Sequence, residues 1–488
     1  MSHVSRPETH ALPAAADAAT DTMDARRWLA LMVVLAAQFM AIFDQFVVNV
    51  ALATIQRDLG ATLADIQFVV AGYALAYAVL LITGGRLGDL FGRKRLFLAG
   101  MAGFTVASAL CGAATSAGAL VGFRLLQGLA AAIMTPQVLA MLQTTFTGRA
   151  RDTAYGAFGA VNGLGGIVGQ SVGGLLVRAD FFGLGWRTAF LVNIPVGIVA
   201  VILAARLLPE SRSHATRSLD LGGVAIGSAG LLLLVYPLIV GAEAGWPVWA
   251  WGCLALSVPV LALFVRFEGR VAARGGAPLM DPALFRARVF RVGTIGRFVV
   301  FAANAGYFLL LALTLQIGLG FSPFEAGLTF FPDAIGFFIA ATLTPRLMRR
   351  LDVRLIPLGL GLKCVGLIGV IVTVWGVGDA LTGWHLAPTL FVQGFGTGLT
   401  AAPLISFILA GVRNDDVGAA SGVLNTAQQV ASAFGVALTG VLFAALLGGN
   451  TSVGAYTHAF AVSLAVLVGA LLVALAVLFT LPRSRPPA

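Results

Sequence analysis

Among the charged side chains that stand inside long apolar runs, where charge is expensive, Asp44, Arg124 and Asp333 lead. A charge at the centre of an apolar helix costs about 2.5–3.5 kcal/mol on insertion scales, so each is a functional candidate by default. An acid in such a place can hold and release a proton. A guanidinium there stays charged and needs an acid or a carbonyl as its partner. Asp44 opens the stretch Asp44-Gln45-Phe46-Val47-Val48-Asn49-Val50-Ala51-Leu52. At about 100° per residue, Gln38, Gln45 and Asn49 share one stripe with Asp44 beside it, so this polar sector must face protein rather than lipid. Asp44 lies about 24 Å along the helix from Trp28, in its outer half.

Arg124 begins Arg124-Leu125-Leu126-Gln127-Gly128 and could bias the proton affinity of a nearby acid such as Asp44. The plainer readings are an aspartate permanently paired with a cation and an arginine that ties two helices together. Asp333 could draw a cationic substrate into a cavity, serve as a second proton site, or sit at a helix end near a wet mouth. Arg297, Asn304, Tyr307 and Gln316 on the preceding run are weaker candidates, as is Lys363 with Cys364. Lys363 could snorkel or pair with Asp333. After the small residues Gly418-Ala419-Ala420-Ser421-Gly422 come Asn425, Gln428 and Gln429, which could line a cavity or simply pack.

These residues need an apolar scaffold. The 488-residue chain is 59% hydrophobic and 11% charged, too few charges to coat a soluble globule of this size, so lipid must surround most of it. A span needs about 20 apolar residues. That ruler predicts fourteen, at 28–54, 66–89, 96–115, 119–143, 154–176, 188–208, 221–240, 249–266, 290–316, 323–347, 354–376, 385–411, 417–446 and 458–481. With the N-terminus in the cytoplasm, 25 of the 31 Lys and Arg fall at cytoplasmic ends. Only Arg57, Arg178 and Arg187 fall outside, which fixes both termini inside. The net charge of +10 is thus a topology signal and forms no face for nucleic acid. The spans at 221–240 and 249–266 read as an insertion that leaves six spans on each side. The predicted units are a disordered tail (1–25), a six-helix bundle (26–208), a linker with two extra helices (209–289), a second six-helix bundle (290–482) and a short cytoplasmic tail (483–488).

The connection Gly85-Arg86-Leu87-Gly88-Asp89-Leu90-Phe91-Gly92-Arg93-Lys94-Arg95 combines turn glycines, an acid at a helix end and three cations. A carboxylate there can bind a neighbouring helix N-terminus while the cations pair with other acids, which suits a cytoplasmic gate built from Gly85, Asp89, Gly92, Arg93, Lys94 and Arg95. The stretch resembles the signature between spans two and three of the major facilitator superfamily. The fourteen-span count and the Asp44–Leu52 stretch are similar to its drug:proton antiporter branch, although Ala53 stands where that branch usually has Pro. The resemblance extends to Gly156, Gly165 and Gly169-Gln170-Ser171-Val172-Gly173-Gly174, the antiporter motif with Gln170 in place of its Pro. Gly165, Gly169 and Gly173 recur every four residues and make a close-packing seam. Trp186-Arg187-Thr188-Ala189-Phe190-Leu191-Val192-Asn193-Ile194-Pro195-Val196-Gly197 is also similar to that branch and reads as architectural.

The resemblance implies an all-α fold of two six-helix bundles with alternating access to a central cavity. It gives Asp44 and Arg124 to proton coupling. The expected cavity residues are Gln38, Gln45, Asn49, Asn304, Tyr307, Asp333, Asn425 and Gln428. The expected function is proton-coupled export of amphipathic drugs, cations among them, by a monomer in the bacterial plasma membrane. Uptake or export of a specific metabolite is the alternative, kept open by Gln170. Cys111, Cys253 and Cys364 have no zinc or disulfide spacing, and the five histidines are scattered, so neither an enzyme, a metal nor a cofactor is expected.

Overall fold

The structure is a computed structural model that describes residues 14–146, 148–210, 220–241, 244–276, 278–279, 282–410, 412 and 417–479. Among these there is no strand, and the helices run in chain order as follows. The first group is α1 (Ala14–Leu59), α2 (Leu63–Phe91), α3 (Arg93–Gly112), α4 (Ala117–Thr145), α5 (Gly148–Ala179), α6 (Thr188–Leu191) and α7 (Asn193–Leu207). A hairpin follows, α8 (Leu221–Val240) and α9 (Val248–Ala273). The last group is α10 (Arg288–Leu313), α11 (Pro323–Thr329), α12 (Phe331–Leu351), α13 (Leu355–Val377), α14 (Gly383–Ala410), α15 (Val417–Leu447) and α16 (Val453–Phe479).

By length and composition, 12 helical stretches among the described residues can cross a membrane, against the fourteen expected. One of them, Pro323–Val377, runs for 55 residues and contains two of the expected spans. The backbone breaks inside it at Asp352, whose φ of 47° stops α12. The other difference is α5, in which only Leu164–Ala179 reads as an apolar stretch among the described residues. The N-terminal tail also departs from expectation. Helix α1 begins at Ala14, inside the stretch read as irregular, because Ala-rich sequence favours helix. Residues 1–13 and 480–488 lie outside the described part.

Small residues let the helices touch backbone to backbone. A Cβ at Gly84 would stand 2.1 Å from the Ala132 carbonyl oxygen, and one at Gly128 would stand 2.4 Å from that of Tyr73, so α2 and α4 meet directly. In the second group α12 and α14 do the same at Gly336 and Gly394. A Cβ at Gly394 would lie 1.8 Å from the Asp333 carbonyl oxygen, which is backbone and cannot swing aside. Gly394→Ala should therefore lower the thermal unfolding midpoint in detergent, by an overpacking cost of about 1–3 kcal/mol. Gly422→Ala, which would point into open space, should leave the midpoint unchanged.

The α8–α9 hairpin packs against α2 and α15. The two groups meet at the end where α1 finishes and α2 begins. There the Gln316 side chain crosses over, donating to the Asn49 carbonyl at 2.7 Å and accepting from the Ala53 amide at 3.3 Å. Gln316 sits in a π-helical turn, Thr314–Gly318, that extends α10. Such turns re-aim side chains out of the regular α-helical register.

Candidate functional site

Asp44 is 0% exposed and stands at the centre of a polar knot in an apolar bundle. Arg124 Nη1 donates to its Oδ2. Gln127 Nε2 and Asn193 Nδ2 donate to its Oδ1 at 2.8 and 3.0 Å. The guanidinium also donates to Gln127 Oε1 at 2.7 Å and to the Val69 carbonyl at 3.0 Å, and it lies over the Tyr73 ring at 4.4 Å. Ser108 Oγ accepts from the same Asn193 amide at 3.0 Å and donates to the Phe190 carbonyl. Five helices, α1, α2, α3, α4 and α7, thus converge on one carboxylate. Every bond to it favours the charged form, while its dry surroundings oppose charge. A group balanced in this way can hand a proton on when the helices around it shift.

The stretch from Trp186 to Gly197, read as architectural, supplies Asn193, and Gln127 lies in a stretch singled out only for Arg124. Neither has a sequence signal of its own, since a lone amide in a helix is cheap and common. Asn193→Leu should cost about 1–3 kcal/mol in a detergent melt, because it leaves Ser108 and one carboxylate oxygen short of partners.

The second group holds another set of buried polar residues. Lys363 Nζ donates to Asn304 Oδ1 at 2.7 Å and to Thr397 Oγ1 at 3.1 Å. Its charge acts on Asp333, and that of Asp333 acts on Tyr307, whose hydroxyl is fully buried without a hydrogen-bond partner. Arg297 Nη2 donates to Gln428 Oε1. So Asn304 is joined to Lys363, Gln428 to Arg297, and Asn49 to Gln316 across the groups. Gln38 is buried, while Gln45 and Asn425 are half-buried.

At the Gly85–Arg95 turn, Gly92 alone separates α2 from α3, with a φ of 106° that favours glycine. A carboxylate does sit on the α3 N-terminus, but it belongs to Glu210, which accepts from the Lys94 amide at 3.2 Å. Glu210 also faces Arg95 at 3.6 Å, and Lys94 Nζ reaches the Ala205 carbonyl at 2.7 Å. These partners all lie in the first group. The Asp89 side chain is outside the described part.

The antiporter-motif glycines divide between two neighbours. Gly165, Gly169 and Gly173 press on Ile42, Phe43 and Val47 of α1. Gly174 presses on Pro323, and Gly327 on the Gln170 carbonyl, so α5 meets α11 of the other group. Among the described residues no cluster of His, Cys, Asp and Glu could hold a metal, and the three cysteines are free.

This arrangement of packed apolar helices around a buried ion pair fits a multi-pass membrane transporter. The Major Facilitator Superfamily pattern matches residues 34–436, and the chain belongs to that family. It is a transporter and not an enzyme. The chain is 42% identical over 429 residues to the probable actinorhodin transporter of Streptomyces coelicolor, covering 88% of this chain and 74% of that one. It is 37% identical to the puromycin resistance protein pur8 of Streptomyces alboniger, over 99% of this chain and 96% of that protein. Its fold is similar to an inward-facing bacterial homolog of the human lysosomal transporter Spinster. There the TM-score is 0.65 at 17% identity, over 93% of this chain and 96% of the other.

Proposed function

We propose that the chain is a proton-coupled antiporter that exports amphipathic small molecules, antibiotics among them, across a bacterial plasma membrane. It has fourteen spans and both termini in the cytoplasm, and it works as a monomer. The count follows if Pro323–Val377 is split at Asp352 and α5 is taken as a span. The observation that carries the reading is the fully buried Asp44–Arg124 pair. A carboxylate held this way inside a bilayer serves proton coupling. Export of drugs is supported by what the similar transporters are named for.

In this reading the end where Gln316 meets Asn49 is the outer end, and it is closed. Asp44 exchanges its proton for Arg124 and the two amides as the bundles rock, and the Gly85–Arg95 turn moves with the cytoplasmic mouth. Each inward proton supplies about 2.3 kcal/mol per 100 mV. Gln170, in place of the motif's Pro, keeps a dedicated metabolite carrier as the competing reading.

Inside-out vesicles energised with a proton gradient should accumulate actinorhodin or puromycin, and a protonophore should empty them. Accumulation that survives the protonophore would end the proton-coupled reading. Failure to accumulate either compound, with the protein intact, would favour the metabolite carrier.

A further inference from the structure

The buried charges of the two bundles do not cancel. Asp44 and Arg124 neutralise one another, and Asp333 and Lys363 act on one another. Arg297 is left over. It is 2% exposed, and among the described residues no charged group acts on it. Among the described residues its only hydrogen bond is to the neutral Gln428, and its guanidinium lies 4.7 Å from the centre of the Phe301 ring. Of the five donors that a guanidinium carries, those on Nε and Nη1 have no partner. A buried cation left this way is strongly disfavoured unless an anion completes it.

The position of Arg297 says where that anion comes from. Residues 297, 301, 304 and 308 follow the four-three-four spacing of one α-helical face. At the far end of this face, Phe308 packs edge-on to Phe46 of the first bundle, with ring centres 5.5 Å apart. At Arg297 and Asn304 the face meets Gln428 of α15 and Lys363 of α13 in its own bundle, and at Phe308 it reaches the first bundle. It offers a fixed cation flanked by flat aromatic rings. Asp333, the acid suited to a cation, lies within the electrostatic reach of Lys363, whose Nζ donates to Asn304 and Thr397.

Resting on the export reading above, we propose that Arg297 binds an anionic group of the cargo, a carboxylate or ionised phenol on an aromatic skeleton. Gln428 orients the guanidinium and Phe301 supports the ring. The cargo completes the charge balance of the second bundle, so an occupied carrier is better compensated than an empty one.

The test measures binding to the purified full-length protein in lipid nanodiscs, using three probes of one shape. These are 2-naphthoate, 2-naphthamide and trimethyl(2-naphthyl)ammonium. Naphthoate should bind about tenfold or more tighter than the other two, as a charge-assisted contact implies. Arg297→Gln should bring the three within about twofold of each other, and Arg297→Lys should keep part of the preference. If Arg297→Gln does not fold, Gln428→Glu supplies an internal carboxylate at the same place and should abolish the naphthoate preference by itself. Equal binding of the three probes, a preference that survives both variants, or no binding of any probe overturns the proposal. So does chloride that displaces naphthoate at equal concentration, because the site would then be a simple anion hole. Proton-driven accumulation of actinorhodin or puromycin without a naphthoate preference sinks this assignment and leaves the export reading standing. A naphthoate preference without proton-driven accumulation does the reverse.

Discussion

Asp44→Asn should abolish proton-driven accumulation while leaving passive exchange of cargo across the membrane. The amide has the shape of the carboxyl group and can still accept from Gln127 and Asn193, but it binds no proton and offers no charge to Arg124. A single proton moving down 100 mV supports an accumulation ratio of about 50-fold, from about 2.3 kcal/mol of driving force. In the variant that ratio should fall to about one. Counterflow, in which labelled cargo enters against unlabelled cargo with no gradient, should persist because it needs no proton. The substitution also leaves Arg124 buried without its counter-charge, a loss of about 3–5 kcal/mol for a broken buried pair. Stability and coupling must therefore be separated. The double variant Asp44→Asn with Arg124→Gln removes both charges and should recover much of the lost stability without recovering coupling. Wild-type accumulation in Asp44→Asn would assign Asp44 a purely structural role. Loss of counterflow together with accumulation would show that the variant blocks the carrier itself.

Asp44 and Arg124 were legible one by one, because each breaks the rule against charge in an apolar helix. Their bond was not, since 80 residues separate them and only the packing of α1 on α4 and α7 brings them together. Asn193 stayed hidden because an asparagine near a helix start is ordinary, and its role depends on two partners from other helices. Spans are legible wherever hydropathy is continuous. The gap between 347 and 354 was legible from its charges, and Asp352 turns the chain there; the break at Phe330 falls within continuous apolar sequence that a hydropathy ruler reads through. The turn around Gly92 was legible as tight and charged. That Glu210 would cap α3 there was not, since its partner Lys94 lies 116 residues earlier. Arg297 was visible as a buried charge, but its lack of a counter-ion among the described residues emerges only from the packing around it.

Gly174→Val should stop transport without unfolding the protein, and the argument rests on which face of α5 each glycine occupies. Gly173 touches α1 in its own bundle, where a Cβ would lie 2.5 Å from Val47 Cγ2. Gly174 is one residue further, about 100° around the helix. A Cβ there would lie 2.4 Å from the Pro323 carbonyl oxygen, in the other bundle. Bulk at Gly173 is present in every state of the carrier, so Gly173→Val should mainly cost stability. Bulk at Gly174 clashes only when this end is closed. It should therefore hold the carrier open here, and a carrier fixed open on one side cannot cycle. Cargo flux should drop by about tenfold or more, since closure must overcome an overpacking penalty of about 1–3 kcal/mol and each 1.4 kcal/mol is tenfold. The melt in detergent should stay near that of the wild type. Spin labels at positions 178 and 325 flank this seam, where the Arg178 guanidinium lies 4.9 Å from the centre of the Phe324 ring. Their separation should lengthen by several ångströms in Gly174→Val and be unchanged in Gly173→Val. Full transport by Gly174→Val with unaltered label distances would mean that α5 and α11 need not meet during the cycle.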